Sequence, residues 1–168
     1  MSTVLYLGVE GLFFKRRSGV AFQKQSSAAF ASQNTELLNG IVDIVQALPD
    51  VDVVLNSWAV ADIGFRTVLS MLPHELATRT IGATLPGNRK HRNPNDRRPR
   101  VDMLRADISR RQPERLAIVD AFASAVPFEY ASQAVILDCT GSAPVTEITT
   151  KLTHLLKVHS TNHPAPET

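Results

Sequence analysis

Apolar residues recur along this 168-residue chain in two rhythms. The first is a set of short runs at Thr3–Leu7, Asp52–Leu55, Arg79–Ala83, Leu116–Val119 and Ala134–Leu137. Each is rich in Val, Ile or Leu and gives way to small or polar residues, which is how a strand buried on both faces reads. The second rhythm lies between the runs, where apolar residues return every three or four positions, as on one face of a helix. Leu37, Leu38, Ile41, Val42, Val45 and Leu48 form one stripe, with Asn34 or Thr35 as N-cap and Pro49 as the stop. Ala61 to Leu72 repeats the pattern before Pro73. Val101 to Arg111 follows, with Met103, Leu104 and Ile108 inward and Pro113 beyond. The last runs from Val145 to Val158, its stripe being Ile148, Leu152, Leu155 and Leu156.

Alternating strands and helices predict an α/β fold: a Rossmann-like three-layer sandwich whose mainly parallel five-stranded sheet is covered on both faces. Two stretches depart from the alternation. Residues 13–33 mix Lys15-Arg16-Arg17 with Gly, Ser and Gln and read as a flap-like insertion. Residues 85–100 (LPGNRKHRNPNDRRPR) are rich in Pro, Asn and Arg without apolar periodicity and read as a basic surface loop. Neither is long enough to fold as a lid, so no large cap domain is expected. Residues 1–159 read as a single domain and 160–168 as a disordered tail.

Composition narrows the class without naming a chemistry. Hydrophobic content of 43% and charged content of 20% are those of an ordinary globular protein. The single Cys139 permits no internal disulfide, no signal-peptide pattern is visible, and the apolar runs are too short to span a bilayer. A cytoplasmic protein without membrane contact is therefore expected. The net charge of +2 is unremarkable, but its distribution is uneven: of 18 Lys and Arg residues, ten fall between Arg89 and Arg115. That stretch reads either as a solvated face or as an electrostatic footprint for nucleic acid or a phosphorylated protein. Aromatic residues that would stack on bases are nearly absent from it. His91, His154, His159 and His163 lack the paired Cys or placed carboxylates of a metal site.

The first strand carries the most specific signal. VLYLGVEGLFF, residues 4–14, runs from an apolar strand into a Gly8-Val9-Glu10-Gly11 turn. Residues 8 and 10 fall on the same side of the chain at the strand's carboxyl end, where ligands bind in open α/β sheets. Further along, VDVVLNSWAVADIGF brings Asn56 and Ser57 to the end of a strand. Arg98 and Arg100 lead into VDMLRADI, and RLAIVDAF ends on Asp120.

In this order and spacing the chain resembles the haloacid dehalogenase-like (HAD) superfamily, in particular its small capless bacterial domains similar to those of RNA-repair proteins. The likeness covers roughly Val4 to Leu156. RTIGATLPG and AVILDCTGSAPVTEITTKL resemble the segments that follow that family's second and fourth motifs. The resemblance implies phosphoryl transfer, with an Asp nucleophile, a second Asp as general acid/base, and Mg²⁺ held by the first Asp and an acidic pair. Mapped residue by residue, Gly8 stands at the nucleophile position and Glu10 at the acid/base position. Asn56, Ser57, Arg98 and Arg100 stand where phosphate is held. Asp120 keeps one acid of the last motif, and Ala121 replaces the other. Glu10 and Asp120 are then the residual catalytic carboxylates and the ligands of any Mg²⁺.

Loss of a covalent nucleophile costs on the order of 10⁴–10⁶ in rate where it works as part of a unit. The resemblance thus implies a degenerate phosphohydrolase: a pseudoenzyme that binds a protein or nucleic-acid partner through an open crevice and its basic loop. The alternative is a weak Mg²⁺-dependent phosphohydrolase acting on phosphorylated nucleic acid or another phosphomonoester. Bland readings stand beside each residue. Glu10 is either a solvated carboxylate or a residual site group, Ser57-Trp58 a turn or a phosphate contact, and Asp120 and Asp138 capping residues or site residues.

Overall fold

The structure, a computed structural model, describes residues 2–13, 35–86, 99–137 and 144–157. The flap-like stretch beyond Phe13, the basic loop from 87 to 98 with His91 and Arg98, Asp138, Cys139, His159, His163 and the tail lie outside the described residues.

Five strands, β1 (Thr3–Leu7), β2 (Val51–Leu55), β3 (Thr80–Ala83), β4 (Arg115–Asp120) and β5 (Ala134–Ile136), form one all-parallel sheet in the order β3-β2-β1-β4-β5. Helices α1 (Thr35–Ala47), α5 (Arg100–Arg111) and α6 (Val145–Lys157) flank it, and three short helices, α2 (Trp58–Ile63), α3 (Phe65–Met71) and α4 (His74–Arg79), connect β2 to β3. The protein is thus an α/β, Rossmann-like three-layer sandwich.

The layers follow from side-chain alternation. Every residue of β1 is buried. Leu5 and Leu7 face a core shared with Leu37, Ile41 and Val45 of α1 and Ile148, Leu152 and Leu156 of α6. Val4 and Tyr6 face the opposite way, onto Leu104 and Ile108 of α5. A strand buried on both sides needs apolar residues at every position, which is why β1 shows no polar alternation.

One expected element differs. The helix predicted over Ala61–Leu72 is two helices broken at Gly64, whose φ of +93° lies where a side chain is disfavoured. Pro73 then begins α4, so the strand expected from Arg79 starts one residue later, at Thr80. Two short 3₁₀ segments, Ala123–Ala125 and Phe128–Gln133, link β4 to β5. Among the described residues, no helix is long and apolar enough to cross a membrane.

Candidate functional site at the carboxyl ends of the strands

Strand order places the site. The chain winds from β1 through β2 to β3 in one direction, then crosses back so that β4 and β5 add on the other side of β1. Connections therefore diverge between β1 and β4, and such a switch point leaves room for functional groups beyond the strand ends. Backbone pairing continues one step past the strands: Gly8 N–H donates to Val119 O (2.8 Å), Asn56 N–H to Leu7 O (2.9 Å) and Thr84 N–H to Leu55 O (2.9 Å). The residues that follow β1, β2 and β3, and Asp120 at the end of β4, are thereby held at one level.

Five of the predicted site residues, Glu10, Asn56, Ser57, Arg100 and Asp120, meet there. Arg100, the first residue of α5, reaches back over the sheet and bridges two carboxylates. Its Nη1 donates to Glu10 Oε2 at 3.1 Å and its Nη2 to Asp120 Oδ1 at 2.5 Å. Glu10 Oε1 accepts from Ser57 Oγ (2.9 Å) and from the Trp58 backbone N–H (2.8 Å). Ser57 is also the N-cap of α2, its Oγ accepting from Ala59 N–H. Asp120 Oδ1 further accepts from Phe122 N–H (2.9 Å), and Oδ2 takes a long contact of 3.4 Å from Asn56 Nδ2. Thr84 Oγ1 donates to Asn56 Oδ1 at 2.8 Å and fixes that amide. The Arg100 guanidinium also lies over the Phe122 ring, 5.7 Å from its centroid.

The network is buried. Glu10 and Arg100 are each 4% exposed, and Asn56, Ser57 and Asp120 are fully covered. Glu10 is therefore not the solvated carboxylate that its turn position allows. The groups assigned to phosphate, Ser57 and Arg100, instead hold a carboxylate of the same chain. All four carboxylate oxygens have donors, while the Arg100 Nε–H has no acceptor among the described residues.

With two carboxylates against one guanidinium, the cluster carries one excess negative charge when both are ionised. Burial pushes the Asp120 carboxyl up to about 6, against the opposing pull of the Arg100 charge and the Phe122 N–H.

Gly8 belongs to the same arrangement. A Cβ at this position would lie 2.8 Å from Asp120 Oδ2 and 3.2 Å from Val119 O, so the Asp120 carboxylate fills the space where a nucleophile would start. Gly11, with φ of +86°, lies against Ala121, whose Cβ would be 3.2 Å from any side chain there.

The Mg²⁺ that the resemblance implies does not fit these residues. A magnesium ion needs near-octahedral oxygen ligands at about 2.0–2.1 Å. Here the inward oxygens of Glu10 and Asp120 point at guanidinium N–H groups. Among the described residues, no group of three or more His, Cys, Asp or Glu gathers to hold a metal ion.

The described part of the basic stretch is largely neutralised within the fold. Arg105 pairs with Asp102 (3.0 Å) and Glu129 (2.5 Å), Arg110 with Asp107, and Arg111 with Asp107 at 2.7 Å. Arg115 Nη1 donates to Lys157 O.

Three partners escape the sequence reading. Thr84 stands one position past β3, and the end of that strand at the level of Asn56 is its only signal. The Trp58 and Phe122 backbone N–H groups leave no trace in residue identity. No family model, curated protein or solved structure matches the chain.

Proposed function

We propose that this chain is a HAD-like domain that has given up phosphoryl transfer and acts by binding a partner. The observation that carries the reading is a site filled by its own side chains. Glu10 occupies the donors that would hold a phosphate, Arg100 occupies the acceptors that would hold a metal, and the Asp120 carboxylate occupies the space above Gly8. The HAD resemblance rests on the motif order alone, and the switch-point location of the cluster supports it. The partner is expected to be negatively charged, a nucleic acid or a phosphorylated or acidic protein. The sequence from Arg89 to Arg98 holds five of the ten clustered basic residues with Asp96 as the only acid, whereas the arginines of α5 already have acidic neighbours.

Hydrolysis of a generic phosphomonoester and of end-phosphorylated RNA and DNA, with and without Mg²⁺, tests the loss of chemistry. No turnover is expected from the wild type, nor from Gly8→Asp, which forces a second carboxylate against Asp120. Mg²⁺-dependent turnover abolished by Glu10→Gln overturns the proposal. In the same preparations, binding to single-stranded nucleic acid is expected to weaken steeply with salt and with Arg97→Ala/Arg98→Ala. Salt-insensitive binding would assign the basic stretch to a solvated face.

A further inference from the structure

We infer that Arg100 is a built-in counter-ion: its guanidinium takes the place of a divalent cation between Glu10 and Asp120, and a metal site opens only when that side chain is removed. The inference rests on the proposed reading of a site filled by its own side chains, but not on partner binding, which the salt and Arg97/Arg98 measurements test separately.

Two buried carboxylates side by side need compensation, because unpaired buried charge is far costlier than exposed charge. A bound proton, a cation from solvent or a cation from the chain are the available remedies. Here the chain supplies it. The guanidinium gives one nitrogen to each carboxylate, Nη1 to Glu10 Oε2 and Nη2 to Asp120 Oδ1, so it bridges them as a shared metal would. Its position is fixed from three sides: Arg100 begins α5 directly after Pro99, it is 4% exposed, and the Phe122 ring lies beneath it. A planar fork with delocalised charge suits this bridge better than a lysine ammonium, which is a point charge on a flexible stem.

The outward oxygens are tied down separately. Ser57 Oγ and Trp58 N–H hold Glu10 Oε1, and Asn56 Nδ2 approaches Asp120 Oδ2. These contacts do not involve Arg100, so shortening that side chain leaves both carboxylates anchored on either side of the vacated space. What remains is a pair of hard anionic oxygens, Glu10 Oε2 and Asp120 Oδ1, that both lose their guanidinium partner. That is the chemistry of a Mg²⁺ or Mn²⁺ site.

The test compares the wild type, Arg100→Met, Arg100→Lys and Arg100→Met/Asp120→Asn in chelator-treated buffer. Thermal unfolding is followed against MgCl₂ and MnCl₂ at constant ionic strength, and bound Mn²⁺ by electron paramagnetic resonance. The wild type is expected to show no saturable change with either metal, and Arg100→Lys to behave likewise at lower stability. Arg100→Met is expected to melt well below the wild type in chelator and to recover about 3 °C or more, saturably, with millimolar metal. The double variant is expected to lose that recovery. Saturable Mn²⁺ binding by the wild type that Glu10→Gln abolishes overturns the inference, as does a folded Arg100→Met that ignores metal. If Arg100→Met fails to fold in either condition, the wild-type Mn²⁺ titration decides alone, because the inference requires it to be blank.

Discussion

Position 8 is glycine for a reason that lies across the sheet, in Asp120. The carboxylate that ends β4 leans over β1, and any Cβ on residue 8 meets it at 2.8 Å. Asp120 is kept there by Arg100 and the Phe122 N–H, in a fully covered position. Such a group leaves a measurable trace in the pH dependence of stability. Its folded pKa of about 6 stands above the ordinary value of 3.8, so between those limits the native state holds a proton that the unfolded chain releases. Stability from Asp120 is therefore full below about pH 4 and is lost as pH rises through 6, by roughly 3 kcal/mol in all. Urea melts of the wild type and Asp120→Asn across that interval are expected to differ in slope, with the variant flatter. Parallel curves would mean that Asp120 titrates like an exposed carboxylate.

At the scale of elements, close helix packing makes a second demand on a small residue. Gly40 of α1 faces α6, and a Cβ there would approach Thr149 Cγ2 to 2.7 Å. Thr149 cannot turn away cheaply, since its Oγ1 donates to Val145 O in its own helix. Helix propensity alone favours Gly40→Ala by about 1 kcal/mol. Overpacking opposes it by about 1–3 kcal/mol, so net destabilisation is expected in the wild-type background. In a Thr149→Ser background, which lacks Cγ2, the same substitution is expected to stabilise. A double-mutant cycle in urea reads the coupling, and additive effects would contradict the contact.

The long elements α1, α5, α6 and the five strands were legible because their apolar period matches their geometry. The α2–α4 region was not, because Gly64 and Pro73 interrupt a stripe that reads as one helix. Strand ends likewise marked Glu10, Asn56, Ser57 and Asp120 as residues that meet. Spacing along the chain does not tell whether a strand-end carboxylate faces water or an N–H donor. Arg98 and Arg100 flank Pro99 and looked equivalent. Arg100, inside the first turn of α5, is carried back over the sheet; Arg98 lies outside the described residues.

For the whole molecule, the parallel sheet with its switch point between β1 and β4 builds the usual location for chemistry, and the chain then fills it with an internal ion cluster. On the proposed reading, binding falls to other groups of the chain, and five basic residues are concentrated between Arg89 and Arg98 in the sequence. The central claim is that Arg100 is locked between Glu10 and Asp120 rather than available to a ligand. Nitrogen-15 NMR of the Arg100 guanidinium tests this most directly. The account predicts two resolved, slowly exchanging Nη resonances that collapse in Asp120→Asn and do not move on addition of millimolar Mg²⁺ or inorganic phosphate. A single averaged Nη resonance in the wild type, or one that shifts saturably with either ion, would contradict it.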